Sequence, residues 1–384
     1  MNIETREGLF AVMEQIAAER EAARPIVEKL VASGEPVEDI EIPEGWRTAG
    51  MVMELCDFAF SRLENDPLQS LAFAQLSLAI AGNLGEDMYP STLRAFVEGR
   101  AWKEVGYANR FLNTYDAASG AYRTAETFFS SDGALAYDEA VARFLRAGIF
   151  FLTANYDEAL ALNAACSVVF RDFGDQRREV RCDVLRGMAS HVRGDFETAR
   201  AQLETALESI HALDDLHTLG ITYNALARVY LLSNRRSDAV VALERSKEIF
   251  TALDMPSDIN RADWGLALIL METDPVKALS ILSRLRDDYL HRHMPENAGE
   301  VGLCMVDALV ATEQVKAARI LTAQVLKEFI DANLDKYAIS ALAYLRDILQ
   351  TTTDPRAAVH HVRSYVERLR TQPALLFLPL DNEG

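Results

Sequence analysis

A short phrase centred on alanine returns about every forty residues along the chain. It takes the forms ANYDEALALNAA at 154–165, GDFETARAQLETA at 194–206 and RRSDAVVALERS at 235–246. The recurring alanines, successively 41, 40, 40, 39, 40 and 40 residues apart, are Ala118, Ala159, Ala199, Ala239, Ala278, Ala318 and Ala358. A period between about 20 and 50 residues indicates a solenoid or a related array of stacked repeats.

The apolar residues inside each repeat are spaced as in helices rather than alternating as in strands. Within 101–129 one stripe contains Val105 and Leu112, and a second begins at Ala118 and Tyr122. Short turn sequences, such as the GD at 194–195, separate the two stripes. Each repeat is therefore predicted to be a helix, a tight turn and a second helix.

The residues at these positions resemble a known family. The repeat starting at Trp102 places Val105, Gly106, Ala118 and Tyr122 as in the pattern W-x2-L-G-x2-Y…A-x3-F, which is typical of the tetratricopeptide repeat. The small residues of the first helix let the paired helices cross at about 8–10 Å. They recur at Gly106, Ala147, Gly187 and Ala227. Leu266 and Val306 depart from the pattern, although the period and the turn spacing continue.

The resemblance implies an all-α fold, a right-handed α-solenoid of about eight helix-turn-helix repeats. The period of about forty residues exceeds the family's usual 34. In this respect the repeats resemble the longer repeats of bacterial peptide-sensing regulators and of kinesin light chains. Residues 1–45 are expected to form an N-terminal helical extension and an acidic linker, with one helix or two broken near Pro25. Residues 46–370 are the predicted solenoid, and 371–384 the predicted C-terminal tail and cap.

Asp-Pro dipeptides precede three of the predicted second helices. They are Asp66-Pro67, Asp274-Pro275 and Asp354-Pro355. An aspartate before a helix can accept a hydrogen bond from a free backbone N–H, and proline suits the first helical turn. These dipeptides therefore predict where the second helices begin.

Composition excludes several classes of protein. The net charge of −19 opposes binding to nucleic acid or to anionic lipid, because both need a basic surface. No apolar run approaches 18 residues, and the N-terminus lacks the features of a secretory signal. The four cysteines form no CxxC pair, so they are expected to be reduced and buried. We expect a cytoplasmic protein with no nucleic-acid or membrane partner.

No residue pattern predicts catalysis. The sequence has no phosphate-binding glycine loop, no HExxH and no GxSxG motif. The histidines at 291, 293, 360 and 361 have no carboxylate or cysteine spacing that would complete a metal site. Residues 1–45 are too short and too acidic for a helix-turn-helix that reads DNA. We expect a noncatalytic protein with no cofactor and no metal.

The family resemblance implies that a partner lies along an inner wall lined by the first helices. In the family, certain positions of each first helix face the partner. The residues of this sequence at those positions are the candidate partner-binding residues: Lys103, Tyr107, Arg110, Phe144, Phe151, His191, Asn224, Arg228 and Asp263. The same register also includes Gly148, Met188 and Asp307. Arginine and tyrosine are frequent at the energetic centres of interfaces. The basic and aromatic N-terminal part is expected to hold an acidic or amphipathic peptide or helix, unless Phe144 and Phe151 only fill gaps between helices.

The predicted function is that of a bacterial adaptor or scaffold that binds a protein or peptide partner in regulation or complex assembly. The alternative is a regulatory sensor that changes conformation on binding a short peptide and signals to a separate effector. Asn224 favours this alternative, because in peptide-sensing relatives an asparagine of the first helix grips the backbone of the peptide. A third class, an enzyme with an unfamiliar site, would need a deep pocket with ionisable residues of shifted pKa.

Overall fold

The computed structural model describes residues 6–34, 36–37, 40–292, 294–331, 336–351, 355–369, 372 and 375–380. Across these residues the regular elements are all helices, and the chain divides into two compact units, Met1–Leu213 and Asp214–Gly384. No helix in the described ranges is long and apolar enough to cross a membrane.

Unit 1 contains a long N-terminal helix followed by four helical hairpins. Its helices are α1 (Arg6–Ser33), α2 (Ala49–Arg62), α3 (Pro67–Ala81), α4 (Ser91–Phe111), α5 (Tyr115–Phe129), α6 (Ala136–Leu152), α7 (Tyr156–Asp172), α8 (Gln176–Val192) and α9 (Phe196–Leu213). Short 3-10 helices at Glu44–Trp46 and Gly133–Leu135 precede α2 and α6.

Unit 2 contains four further hairpins. Its helices are α10 (Leu216–Leu232), α11 (Arg236–Ala252), α12 (Pro256–Thr273), α13 (Pro275–His291), α14 (Pro295–Ala311), α15 (Val315–Asp331), α16 (Lys336–Thr351) and α17 (Arg356–Leu369). Eight hairpins in the described chain confirm the predicted all-α fold of about eight helix-turn-helix repeats.

The tight turns inside the hairpins share one backbone geometry. Asn113, Ala154, Gly194 and Asn234 each follow a first helix with positive φ angles of 61°, 60°, 83° and 56°. This conformation lets the next N–H group reach back to a carbonyl of the helix, as Asn155 N–H does to the Phe150 oxygen at 2.8 Å. The same turn therefore recurs because the same backbone conformation ends each of these first helices.

Small residues bring the two helices of a hairpin together, as the pattern predicts. A Cβ atom added to Gly106 in α4 would lie 2.4 Å from the Tyr122 ring of α5. At the equivalent Gly187 in α8 it would lie 2.9 Å from Leu203 of α9. Tyr122 and Leu203 are fully buried, so a buried side chain of the second helix packs directly against each of these glycines.

The Asp-Pro signals begin second helices where the sequence predicts them. Asp66 accepts a hydrogen bond from the Gln69 N–H at 2.9 Å, and Asp274 accepts one from the Lys277 N–H at 3.0 Å. The prolines that follow occupy the first turns of α3 and α13. Asp354 of the third dipeptide lies outside the described residues.

The N-terminal helix α1 is one continuous helix that includes Pro25. The Glu19 carboxylate accepts hydrogen bonds from the Gly50 N–H at 2.9 Å and from the Tyr89 hydroxyl at 2.7 Å. A Cβ atom at Gly50 would lie 2.4 Å from the Glu19 Cβ, so α1 and α2 touch at this point. Arg20 adds ion pairs to Glu54 and Asp57 of α2. Residues 35, 38 and 39 of the predicted acidic linker lie outside the described residues.

The last helix of unit 2 packs against α14 as well as α16. Arg363 of α17 forms an ion pair with Asp307 of α14, and Val359 and Val362 share a core with Leu303. The described part of the predicted tail, 372 and 375–380, includes Phe377. Its ring lies 4.9 Å from that of Tyr365 in α17. Residues 371, 373–374 and 381–384 of the tail lie outside the described residues.

Candidate partner-binding face

Three first helices of unit 1, α4, α6 and α8, present equivalent positions on their exposed sides. These positions directly follow the small residue of each helix. They are Tyr107, Gly148 and Met188, and all three are half-buried. We call the exposed sides of these three helices, together with Phe60 of α2, the first-helix face. Phe60 is 55% exposed, and its ring lies 5.6 Å from that of Tyr107.

Gly148 leaves the centre of the first-helix face open. An added Cβ at this position would meet no atom within 4 Å, in contrast to the packed Gly106 and Gly187. Leu152 and Val192, the last residues of α6 and α8, are exposed apolar residues of the same helices. The face therefore combines open space with apolar side chains, a combination that suits binding.

Tyr107 links α4 to the charges of α8. Its ring packs edge-on at 6.0 Å against the ring of Tyr122. Burial and, to a lesser extent, the Glu104 carboxyl raise the pKa of Tyr107 to about 12, while Arg110, Arg178 and Arg181 act in the opposite direction. The guanidinium groups of α8 are thus close enough to act on the Tyr107 hydroxyl.

Four cations accompany Tyr107, and we call them the basic cluster: Lys103, Arg110, Arg178 and Arg181. Lys103 Nζ lies 3.7 Å from the Glu104 carboxylate. Arg178 is fixed by the Asp175 carboxylate at 2.7 Å and lies 5.4 Å from the centre of the Tyr137 ring. Arg110 has no ion-pair partner among the described residues.

Asp175 is the acid that holds Arg178 in place. Burial pushes the pKa of Asp175 upward, but hydrogen bonds from Tyr137 and from the backbone and side chain of Arg178 outweigh it and bring the pKa to about 2. The carboxylate therefore stays charged under all ordinary conditions. An open cavity of about 650 Å³ begins beside it and is lined by Tyr137, Phe173, Gly174, Asp175, Gln176, Arg177 and Leu213.

Glu104 is a buried acid beneath the basic cluster, with 4% of its surface exposed. Burial raises the pKa of Glu104, and Lys103 and Arg100 counteract that rise. Its Oε2 atom has no hydrogen-bond partner among the described residues. A buried carboxyl with an unsatisfied oxygen costs stability, and Lys103 above it offsets part of that cost.

The predicted wall residues of unit 1 fall into two groups. Lys103, Tyr107 and Arg110 lie on one side of α4, because they are three to four residues apart. The Phe144 and Phe151 rings instead pack against α7, at 6.0 Å from Phe170 and 5.4 Å from Tyr156.

His191 of α8 is buried and lies 5.9 Å from the Phe196 ring. The structure thus gathers the basic and aromatic residues of α4 and turns these other rings toward second helices.

The three candidates of unit 2 do not form a group of equally accessible residues. Arg228 is exposed, whereas Asn224 is buried and its amide nitrogen has no hydrogen-bond partner among the described residues. Asp263 is 2% exposed and is bound by Lys247 of α11 at 2.6 Å and by Arg284 of α13. The carboxylate of Asp263 is therefore engaged with second helices on both sides.

Phe60, Arg178 and Arg181 belong to the first-helix face although the wall positions carried over from the family omit them. Arg181 lies seven residues before Met188 in the sequence. Arg100 and Val141 lie at the same distance before Tyr107 and Gly148. Two helical turns carry a residue back to nearly the same side of a helix, so this spacing is the signal that identifies Arg181. Phe60 lies in the degenerate first hairpin, where the repeat gives no register.

The described residues contain no group of three or more His, Cys, Asp or Glu side chains placed to hold a metal ion. All four cysteines are free and buried. His361 hydrogen-bonds to the Leu378 carbonyl at 2.8 Å, and His293 lies outside the described residues.

Comparison with known proteins agrees with this architecture. The sequence profile of the tetratricopeptide repeat matches residues 180–252. The match spans most of α8 to α11, so these hairpins are tetratricopeptide repeats, as the sequence pattern predicts. No curated protein sequence matches the chain.

Several solved structures share the fold. A Rap protein complexed with competence and sporulation factor is 12% identical, with a TM-score of 0.58 over 94% of this chain and 99% of that chain. NprR in complex with its cognate peptide NprX is 13% identical, with a TM-score of 0.51 over 97% and 95%. Aspartyl phosphate phosphatase F from Bacillus subtilis is 13% identical, with a TM-score of 0.51 over 99% of both chains. At these identities the likeness is one of fold.

Proposed function

We propose that this protein is a noncatalytic interaction protein that binds a peptide or a segment of a partner protein on the first-helix face of unit 1. The observation that carries the proposal is the open space at Gly148 of α6, which has the register of Tyr107 in α4 and Met188 in α8. Tyrosine and arginine, the residue types at Tyr107 and Arg110, are among those that contribute most to binding at protein interfaces. The role that follows is that of an adaptor in regulation or assembly.

The chemistry of the face supports binding rather than catalysis. Its charged groups are the four cations of the basic cluster and the acids Glu104 and Asp175, and guanidinium groups are suited to binding the carboxylates of a ligand. A likeness in fold to a protein named as a phosphatase carries no activity over to this chain, because one fold serves many functions. The proposed role is therefore to hold a partner.

The second candidate is a peptide sensor that changes conformation and signals to a separate effector. Two structures of similar fold favour it, because a Rap protein is complexed there with competence and sporulation factor and NprR with its cognate peptide. A sensor gains stability when its peptide binds, by about 2.7 kcal/mol at a hundredfold excess over the dissociation constant. Thermal melting of the protein with the small-peptide fraction of its host should then show a higher Tm, whereas an adaptor that binds only a segment of a larger protein should show no shift.

The test of the binding face uses two glycine variants. Gly148→Leu fills the open centre of the face, while Gly120→Leu makes the same change on α5, where an added Cβ also meets no atom within 4 Å. Both variants should fold, because leucine favours the helix over glycine by about 0.5–1 kcal/mol. Tagged wild type and variants are used for affinity purification from the host, and the captured polypeptides are identified.

We expect a polypeptide that is captured by wild type and Gly120→Leu but lost with Gly148→Leu. Equal capture by both variants would show that the partner binds elsewhere.

A further inference from the structure

We infer that the first-helix face of unit 1 accepts an amphipathic segment with an apolar stripe and an acidic side. The inference rests on the proposed function and adds the chemistry of the ligand. The features behind it are the apolar surface around Gly148 and the basic cluster beside it.

The apolar side of the ligand has a place to pack. The exposed ring of Phe60 touches Tyr107, and Leu152 and Val192 are exposed at the ends of α6 and α8. At Gly148 of α6 the space beside the backbone is open, because an added Cβ would meet no atom within 4 Å. An apolar side chain of a ligand could therefore enter above Gly148 and contact the Tyr107 ring, which would bury area otherwise exposed to water.

The acidic side of the ligand would meet the basic cluster. Arg110 is the strongest element, because no described residue forms an ion pair with it and it lies next to the Tyr107 hydroxyl. Arg178 is held in one orientation by Asp175 and Tyr137, so less freedom is lost when it binds a carboxylate. Planar guanidinium groups bind carboxylates through paired hydrogen bonds.

The acids around the basic cluster are mostly engaged. Asp175 is bound to Arg178, and Glu104 is buried under Lys103. Asp138 of α6 is near Lys103, Arg178 and Arg100, and burial raises its pKa. Arg110, which forms no ion pair with a described residue, remains available to a ligand, so charge complementarity favours an acidic one.

Three synthetic 16-residue peptides test the inference. All carry leucines at the same i, i+3, i+4, i+7 positions, and the remaining positions are mainly glutamate, lysine or glutamine. Fluorescence anisotropy gives the Kd of each labelled peptide for the full chain at two salt concentrations. We expect the glutamate peptide to bind at least about tenfold more tightly than the other two, and to weaken as salt rises.

Charge variants locate the contact. Arg110→Glu should raise the Kd of the glutamate peptide by about tenfold or more. Arg123→Glu, which makes the same change at an exposed position of α5, should leave its Kd unchanged. Arg110→Gln repeats the test with a milder change, and thermal melting shows that each variant is folded.

Each other outcome is decisive. Failure of the glutamate peptide to bind, equal binding of the three peptides, or equal effects of the two charge changes would overturn the inference. If the three peptides bind equally and Gly148→Leu abolishes all binding, the acidic preference fails while the proposed binding face stands. If Gly148→Leu changes nothing, the proposed face itself fails.

Discussion

The ring of Tyr122 occupies the space that a side chain at Gly106 would need, with its Cε1 atom 2.4 Å from the position of an added Cβ. Tyr122 is fully buried and its ring also meets that of Tyr107. The close approach of α4 and α5 at Gly106 is thus adjacent to Tyr107 of the proposed binding face. The packing of the hairpin and the position of Tyr107 therefore depend on the same glycine.

Gly106→Ala is expected to destabilise the protein, because the buried Tyr122 ring must move to admit a methyl group. Overpacking of this kind costs about 1–3 kcal/mol. Gly148→Ala is the matched control, since its Cβ enters open space and should raise the free energy of unfolding by about 0.5–1 kcal/mol. Urea denaturation measures both, and a Gly106→Ala variant as stable as Gly148→Ala would show that the crossing is looser than described.

Ala154 adopts a left-handed backbone conformation that glycine accepts at less cost. Its φ is 60°, and the equivalent residue of the next hairpin is Gly194 with a φ of 83°. Ala154→Gly should therefore stabilise the protein by up to about 1 kcal/mol, and Gly194→Ala should destabilise it by about as much. Thermal melts of the two variants should move in opposite directions, and shifts of the same sign would contradict this geometry.

Glu104 should make the stability of the protein depend on pH. Because burial raises its pKa, the folded protein holds a proton that the unfolded chain would release. The contribution of Glu104 to stability is thus greatest at low pH and declines as the pH rises above the usual glutamate value near about 4.3. The variant Glu104→Gln cannot lose this proton.

The free energy of unfolding of Glu104→Gln, minus that of the wild type, should therefore increase from about pH 4 to about pH 7. Urea titrations at several pH values measure it, with Glu158→Gln as the control at an exposed glutamate of α7. A difference that stays constant or decreases with pH would show that Lys103 and Arg100 dominate over burial.

Asp263 should matter for stability rather than for binding. Its carboxylate is buried between Lys247 and Arg284, which are themselves partly exposed. Asp263→Ala should lower the free energy of unfolding by about 2 kcal/mol, because charge-assisted hydrogen bonds are lost while both cations can turn to water. The Kd of the glutamate peptide should not change, and a weakened peptide with unchanged stability would instead give Asp263 a place in the binding site.

The period of the sequence predicts the hairpins because the two helices of a hairpin are neighbours in the sequence, and the contacts at their crossing lie within one repeat. Each small residue, as at Gly106, needs only its own second helix, and each turn needs one residue of positive φ. The exposed side of a first helix is harder to predict, because it also depends on the rotation between successive hairpins. Asp263 illustrates this point. Its register predicts an exposed position, but its carboxylate forms ion pairs with residues of α11 and α13.

The ends of the array depend on contacts that no repeat encodes. Asp307 has the register of a wall residue, yet it is paired with Arg363 of α17. The sequence leaves open whether α1 is one helix or two. Tertiary contacts decide, because Ala23 and Val27 on either side of Pro25 are buried in the core of unit 1.

Site-specific photo-crosslinking tests the binding face most directly. A p-benzoylphenylalanine replaces Met188 on the face, or the exposed Gly120 of the second helix α5, in the full chain expressed in its host. A partner polypeptide should be crosslinked from position 188 and not from position 120. A partner that copurifies with both proteins but is crosslinked only from position 120 would contradict the assignment of the first-helix face as the binding surface.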